Sequence, residues 1–187
     1  MNTTTWKADF SAYTKMRILI VDDEPANVAL LEDMLSDQGY ISLKSTTDSR
    51  RVPELCREFD PDLILLDLCM PHVDGFAVLE SLRAERSEVY LPIIVLTADV
   101  NEESKRRALR CGATDFLHKP FDHIEVLLRI RNLLETRRIH QLLDTRRAAL
   151  EEAVHARTSE LHEVKGAFVE CAKQFHQVLE KAKSTPE

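Results

Sequence analysis

The chain alternates between short unbroken apolar runs and stretches whose apolar residues recur every three or four positions. MRILIV (16–21), LILL (63–66) and LPIIVLT (91–97) are apolar runs; ISLKST (41–46) and TDFLH (114–118) are shorter and more polar. In chain order these five segments are predicted as strands β1 (16–21), β2 (41–46), β3 (63–66), β4 (91–97) and β5 (114–118). Helical spacing fills the gaps. It runs through Val28, Leu31 and Leu35 in 25–38 (α1, stopped by Gly39), then through 49–59 (α2). It returns through Phe76, Leu79 and Leu82 in 75–86 (α3), through 101–111 (α4), and from about Asp122 onward (α5). Parallel strands joined by helices bury both faces of their sheet, which accounts for apolar runs without alternation. The predicted class is a doubly wound α/β sandwich.

The breakers divide the chain in two. Three of four glycines and six of seven prolines precede Phe121; between Phe121 and Thr185 there is one glycine, Gly166, and no proline. The first part is therefore punctuated, and the last can form one long helix or a helical hairpin. Three segments result: an N-terminal arm over 1–14, a folded domain over 15–135, and a helical extension over 136–187 continuous with α5. The arm lacks apolar periodicity, though Trp6, Phe10 and Tyr13 could dock somewhere.

Charge follows the same division. Residues 136–187 carry nine Lys/Arg and eight Asp/Glu, so the acidity of the chain (net charge -7) sits in residues 1–135. That balance argues against direct binding to nucleic acid or an anionic membrane. No apolar run reaches the roughly 18 residues of a membrane span. The start, MNTTTWKADF, lacks the basic and apolar regions of a secretory signal. Cys56, Cys69, Cys111 and Cys171 form no CxxC pair. A reduced cytoplasmic protein is expected.

The candidate chemistry lies at the strand ends. Asp22 and Asp23 follow β1, Asp67 follows the LILL run of β3, Thr97 ends β4, and Lys119 follows β5. In an open parallel sheet the carboxyl ends of the strands form the ligand crevice. Three carboxylates converging there repel one another unless a cation sits among them, and oxygen-only donors suit a hard ion such as Mg2+. Adding a hydroxyl and an ammonium completes a set that fits an anionic phosphoryl group, with a carboxylate as nucleophile. Hydrolases of the phospho-aspartate type carry a DxD-type motif at the first strand; here the acids are adjacent and the candidate nucleophile is on β3.

VDDE (21–24), LLDLCMPHVDG (65–75), LTAD (96–99) and HKPF (118–121) together resemble the receiver domain of two-component response regulators. They occur in that family's order and separations, and the resemblance covers about 16–135. It implies a flavodoxin-like, CheY-like sheet of order 2-1-3-4-5 and a role in phosphorelay rather than as an enzyme. Asp67 would be the phosphoacceptor, supplied by a sensor histidine kinase or phosphotransfer protein. Asp23, Asp67 and the Cys69 carbonyl would ligate Mg2+, with Asp22 acting mainly through a metal-bound water. Thr97 and Lys119 would contact the phosphoryl group, and the Lys119–Pro120 bond would be cis. Gly75 would turn the chain after β3. Thr97 would swing inward on phosphorylation and Phe116 would enter the space it leaves, repacking the α4–β5–α5 surface. Asp99 could position an attacking water, whereas Cys69 is read as a small space-filler.

The extension carries its own pattern. Val126, Leu127, Ile130, Leu133 and Leu134 are expected to cover the sheet. Leu150, Val154, Leu161, Val164, Phe168, Phe175 and Val178 then fall on alternating three- and four-residue steps, with Arg157 and Cys171 at two further seam positions. That is a heptad seam, and its phase breaks in 136–147. A helix this long needs a partner. A parallel coiled coil in a homodimer is preferred, with the α4–β5–α5 face as a further contact; a hairpin folding back near Gly166 competes. AVHARTSEL (153–161) resembles the signalling coiled coils that join receivers to output domains. The alternative function is therefore the regulatory N-terminal fragment of a larger cyclic-di-GMP phosphodiesterase, diguanylate cyclase or kinase. A scaffold that works without phosphorylation would be expected to lose site residues, and none is lost. His155, His162 and His176 share a face outside the seam and are expected to be exposed; the Arg pairs 137–138 and 146–147 are expected to form a solvated helix face.

Overall fold

Side chains of successive strand residues point to opposite faces, so a strand that is apolar throughout needs cover on both. A computed structural model describes residues 13–85, 90–99 and 101–183; for 171, 175 and 177–183 only the backbone is described. Five strands form one parallel sheet of order β2-β1-β3-β4-β5. They are β1 (Ile18–Val21), β2 (Leu43–Thr46), β3 (Leu63–Asp67), β4 (Ile93–Thr97) and β5 (Asp115–His118). The helices are α1 (Pro25–Asp37), α2 (Val52–Phe59, entered through a 3-10 turn Ser49–Arg51), α3 (Gly75–Glu85), α4 (Glu102–Arg110) and α5 (His123–Lys183). The expected doubly wound, flavodoxin-like class and its strand order are thus the observed ones.

The strand runs divide residue by residue between two cores. Leu19, Val21, Ile64, Leu66 and Val95 face α2, α3 and α4. Ile18, Ile20, Leu65, Ile94 and Leu96 face α1 and the first turns of α5, where Val126, Ile130 and Leu134 are fully buried. Burying side chains of this size contributes roughly 1.5–3 kcal/mol each. β2 is the exception at the sheet edge. It starts two residues later than its sequence suggests, and Ile41 is left exposed before it.

Tyr13 docks, as the sequence allowed: it is buried in the α1–α5 core, and the Tyr13 and Thr14 carbonyls accept from the Met16 and Ile41 N–H groups. Trp6 and Phe10 lie outside the described residues. Arg137 is not on a solvated face: it is 5% exposed. Its Nη1 donates to the Tyr90 carbonyl at 2.7 Å, and its Nε lies 3.6 Å from Asp62. One turn on, the His140 ring stacks on Tyr90 at 4.3 Å. A helix position needed to bind a loop carbonyl reads in the sequence as merely polar, which is why this contact was missed. Its pair-mate Arg138 is exposed and lies over the Tyr13 ring.

The chain divides into two units at His140/Gln141. The second unit is helical from its first residue to Lys183. The helix passes through Gly166 without a break, so the hairpin is not formed. His155, His162 and His176 are exposed as expected. Among the described residues, no helix is long and apolar enough to cross a membrane.

Candidate functional site at the strand ends

The register of the sheet brings the candidate residues together. Val21 pairs with Leu66 and Asp67 with Leu96, so β1, β3 and β4 end at the same level. Asp22 and Asp23 follow β1 there, and Asp67 closes β3. One oxygen from each of the three carboxylates lies within 4.8 Å of the others. Lys119 directly follows β5, its peptide bond to Pro120 is cis, and its N–H donates to the Thr97 carbonyl at 2.8 Å.

Asp22 is almost wholly buried and spends both oxygens inside the protein. Oδ1 accepts from the Glu24 N–H at 3.0 Å and from Asn27 Nδ2 at 2.9 Å; Oδ2 accepts from Lys119 Nζ at 2.6 Å. Asn27 was not singled out in the sequence. The available signal was general: a carboxylate at a buried strand end requires donors, and the first turn of the next helix is placed to supply them. Asp67 Oδ1 accepts from the Leu68 N–H at 2.9 Å, while Oδ2 lies 3.3 Å from Lys119 Nζ. Asp23 is half-buried.

Burial pushes the Asp67 carboxyl above its ordinary value; the Lys119 charge opposes that shift and the Asp22 charge adds to it. For Lys119, burial acts to lower the pKa, but the hydrogen bond to Asp22 and the charges of Asp67 and Asp22 outweigh it and hold the ammonium above its usual range. One ammonium faces three carboxylates, so the crevice as built is anionic. That charge excess and the all-oxygen donor set fit a hard divalent cation.

Thr97 is buried, and its hydroxyl accepts from the Asp99 N–H at 3.1 Å. It thus closes the first turn of the β4–α4 connection. Asp99 in turn accepts from the Asn101 N–H and the Ser104 hydroxyl, contacts that hold its carboxyl below the usual range. The carboxylate proposed from sequence for water positioning therefore anchors the start of α4. Cys69 is exposed, with Sγ 3.7 Å from the Thr97 hydroxyl, so it fills no core space. Phe116 is buried in the α2–α3–α4 core, edge-on to His118 at 4.9 Å.

Gly75 acts through close approach rather than through a turn of special φ. A Cβ there would sit 2.5 Å from the Asp67 carbonyl oxygen and 2.6 Å from the Leu68 Cα. The start of α3 is pressed against the backbone that carries Asp67, and the Gly75 N–H donates to the Leu68 carbonyl at 3.1 Å.

Comparison with known proteins agrees with this geometry. Residues 18–131 match the response regulator receiver domain. The chain is 41% identical over 126 residues to the DNA-binding dual master transcriptional regulator RpaA of Synechocystis, covering 67% of this chain and 52% of that protein. It is 30% identical over 152 residues to a probable cyclic di-GMP phosphodiesterase of Vibrio cholerae, covering 81% of this chain and 34% of that one. The chain thus spans about half or less of these relatives. The solved structure of Vibrio cholerae chemotaxis protein CheY4 superimposes with a TM-score of 0.59 at 27% identity, covering 64% of this chain and 98% of that one. With that match over most of its length and an acidic crevice at the strand ends, the chain belongs to the response regulator receiver domain family.

Proposed function

We propose that this chain is a phosphorelay response regulator that accepts a phosphoryl group on Asp67 from a sensor histidine kinase or phosphotransfer protein. One observation carries the reading. Asp67 ends β3 with one oxygen 3.3 Å from Lys119 Nζ, in a crevice shared with Asp22 and Asp23. Asp23, Asp67 and the Cys69 carbonyl would hold Mg2+. The ion supplies charge neutralisation for the phosphoryl oxygens. Asp22, with both oxygens engaged, positions Lys119 and would reach the ion through water. The chain acts as a phosphoacceptor rather than as a catalyst of its own output, and it works in the cytoplasm without contacting nucleic acid or membrane directly.

Phosphorylation adds about -1.5 to -2 charge at Asp67. Lys119 gains a stronger acceptor. The Thr97 hydroxyl, which accepts the Asp99 N–H, still has its own proton to donate to the new oxygens; a swing of its side chain toward Asp67 would stretch the Asp99 contact and loosen the start of the β4–α4 connection. Movement of Thr97 vacates space that the Phe116 ring can enter. The α4–β5–α5 surface and the helix beyond it carry the change outward, with α5 pairing in a homodimer.

The test is direct. Incubation with acetyl phosphate and Mg2+ should place one hydroxylamine-labile phosphoryl group on the wild type, and chelation of the metal should suppress it. Asp67→Asn should take up none; stoichiometric labelling of that variant would sink the assignment.

A second reading has its own support. The alignment to the probable cyclic di-GMP phosphodiesterase is longer than the receiver match at 18–131. On that reading the chain is the regulatory part of a larger cyclic-di-GMP phosphodiesterase, diguanylate cyclase or kinase. Immunoblotting of native extract with an antibody to this chain decides it: a band far heavier than the chain supports the larger protein.

A further inference from the structure

Along α5, Leu150, Val154, Leu161, Val164 and Phe168 lie on heptad seam positions, and all are between 58% and 75% exposed. An apolar stripe this regular is what a coiled-coil partner covers. If Val154, Leu161 and Phe168 occupy the a positions, then Leu150, Arg157 and Val164 occupy the d positions. Leu143, also exposed, falls one heptad before Leu150. The flanking positions are then fixed. Arg146, Ala153, Glu160 and Ala167 are at g; Glu151, Thr158, Lys165 and Ala172 are at e.

In a parallel coiled coil each g residue meets the e residue five positions further along the other chain. That rule sets Arg146 against Glu151 and Glu160 against Lys165. Both pairs are attractive, the remaining g–e pairs are uncharged, and symmetry doubles each. Sliding one chain by a heptad leaves one attractive pair of the four: Arg146 meets Thr158 on one side and Asp144 on the other, and Glu160 meets Ala172 and Thr158. Antiparallel arrangements pair g with g and e with e. Crossing near residue 166 sets Lys165 against itself, crossing near 163 brings no charged pair together, and crossing near 159 gains two Glu151–Lys165 contacts but sets Glu160 against itself, so none matches the four attractive contacts of the parallel register.

The polar seam residue points the same way. Arg157 Nη1 is held by Glu160 of its own chain at 2.9 Å. In register, two such neutralised arginines share one layer. Slipped by a heptad, each would be pressed against Leu150 or Val164. A polar layer of this kind specifies register at a cost in stability.

We infer that the apolar stripe of α5 is covered by α5 of a second copy of this chain, parallel and in register, with Arg146–Glu151 and Glu160–Lys165 pairs between the chains. This rests on the reading that α5 pairs in a homodimer, and adds its orientation, its register and the residues that set them.

The test measures the dimer dissociation constant of the full chain by sedimentation equilibrium at low ionic strength. Glu160→Lys and Lys165→Glu should each weaken the dimer about tenfold, because each turns two attractions into two repulsions. The double variant Glu160→Lys/Lys165→Glu should bind more tightly than either single variant, since the pairs are restored with exchanged signs, while staying short of wild type because Arg157 has lost its own-chain partner. Single variants that leave the dimer unchanged, or a double variant that binds no more tightly than they do, would overturn the parallel register. Leu161→Asp reads the underlying association separately. A wild type that stays monomeric, or a dimer indifferent to Leu161→Asp, would place the contact elsewhere and remove the basis of the inference.

Discussion

Asp22, Asp67, Thr97 and Lys119 are polar groups taken out of water, whereas Leu150, Val154, Leu161 and Phe168 are apolar groups left in it. Both regions depart from the usual partition of polar outside and apolar inside, and such departures mark surfaces that do something. They differ in how the departure is tolerated. The crevice is satisfied from within: Asp22 alone accepts from Glu24, Asn27 and Lys119. The stripe's side chains are more than half exposed. The first is suited to a divalent cation and, on the function proposed above, a phosphoryl group; the second is the face proposed to meet another helix.

The sharpest way to break the crevice side is Lys119→Ala. Mg2+ binding, followed by titration calorimetry, should persist, while a phosphoryl mimic such as beryllofluoride should no longer move the amide signals of β4, β5 and α5. A response like that of wild type would remove Lys119 from the switch. Next in size is a cut within α5 itself. Ile130 is fully buried against the sheet, so Ile130→Ala should cost about 2–5 kcal/mol in urea unfolding. Gly75→Ala should cost roughly 1–3 kcal/mol, because the added Cβ meets backbone rather than a movable side chain. It should also slow phosphoryl uptake from acetyl phosphate, since the displaced backbone is the one that carries Asp67. Smallest is Leu161→Ala. With the residue 68% exposed, folding of a dilute sample should change by no more than about 0.5 kcal/mol, while self-association weakens. Equal losses from Ile130→Ala and Leu161→Ala would erase the contrast between the two stretches of the helix.

The two regions were also legible in the sequence for different reasons. The stripe is a one-dimensional pattern within a single helix, so spacing alone displayed it; what spacing could not decide was helix against hairpin, and the unbroken passage through Gly166 is a structural finding. The crevice draws on four separate strand ends. It was readable because apolar runs marked the strands and each run ended in a residue with the right chemistry. Contacts that depend on a loop meeting a helix left no such trace. Arg137 looks like any solvated arginine until Tyr90 and Asp62 are seen beside it. Asp99 looks like a free carboxylate until Ser104 and the Asn101 N–H are seen to hold it. Tyr13 follows a segment without periodicity; its aromatic ring marked it as able to dock, but not where.

The central claim is that occupancy of the crevice alters the stripe. Hydrogen exchange of the full chain, with and without beryllofluoride and Mg2+, tests it most directly. The account predicts altered protection at the β4–α4 connection, in β5, and along α5 through the stretch that carries Leu150 to Phe168. Changes confined to the strand ends, with α5 exchanging identically in both states, would contradict it.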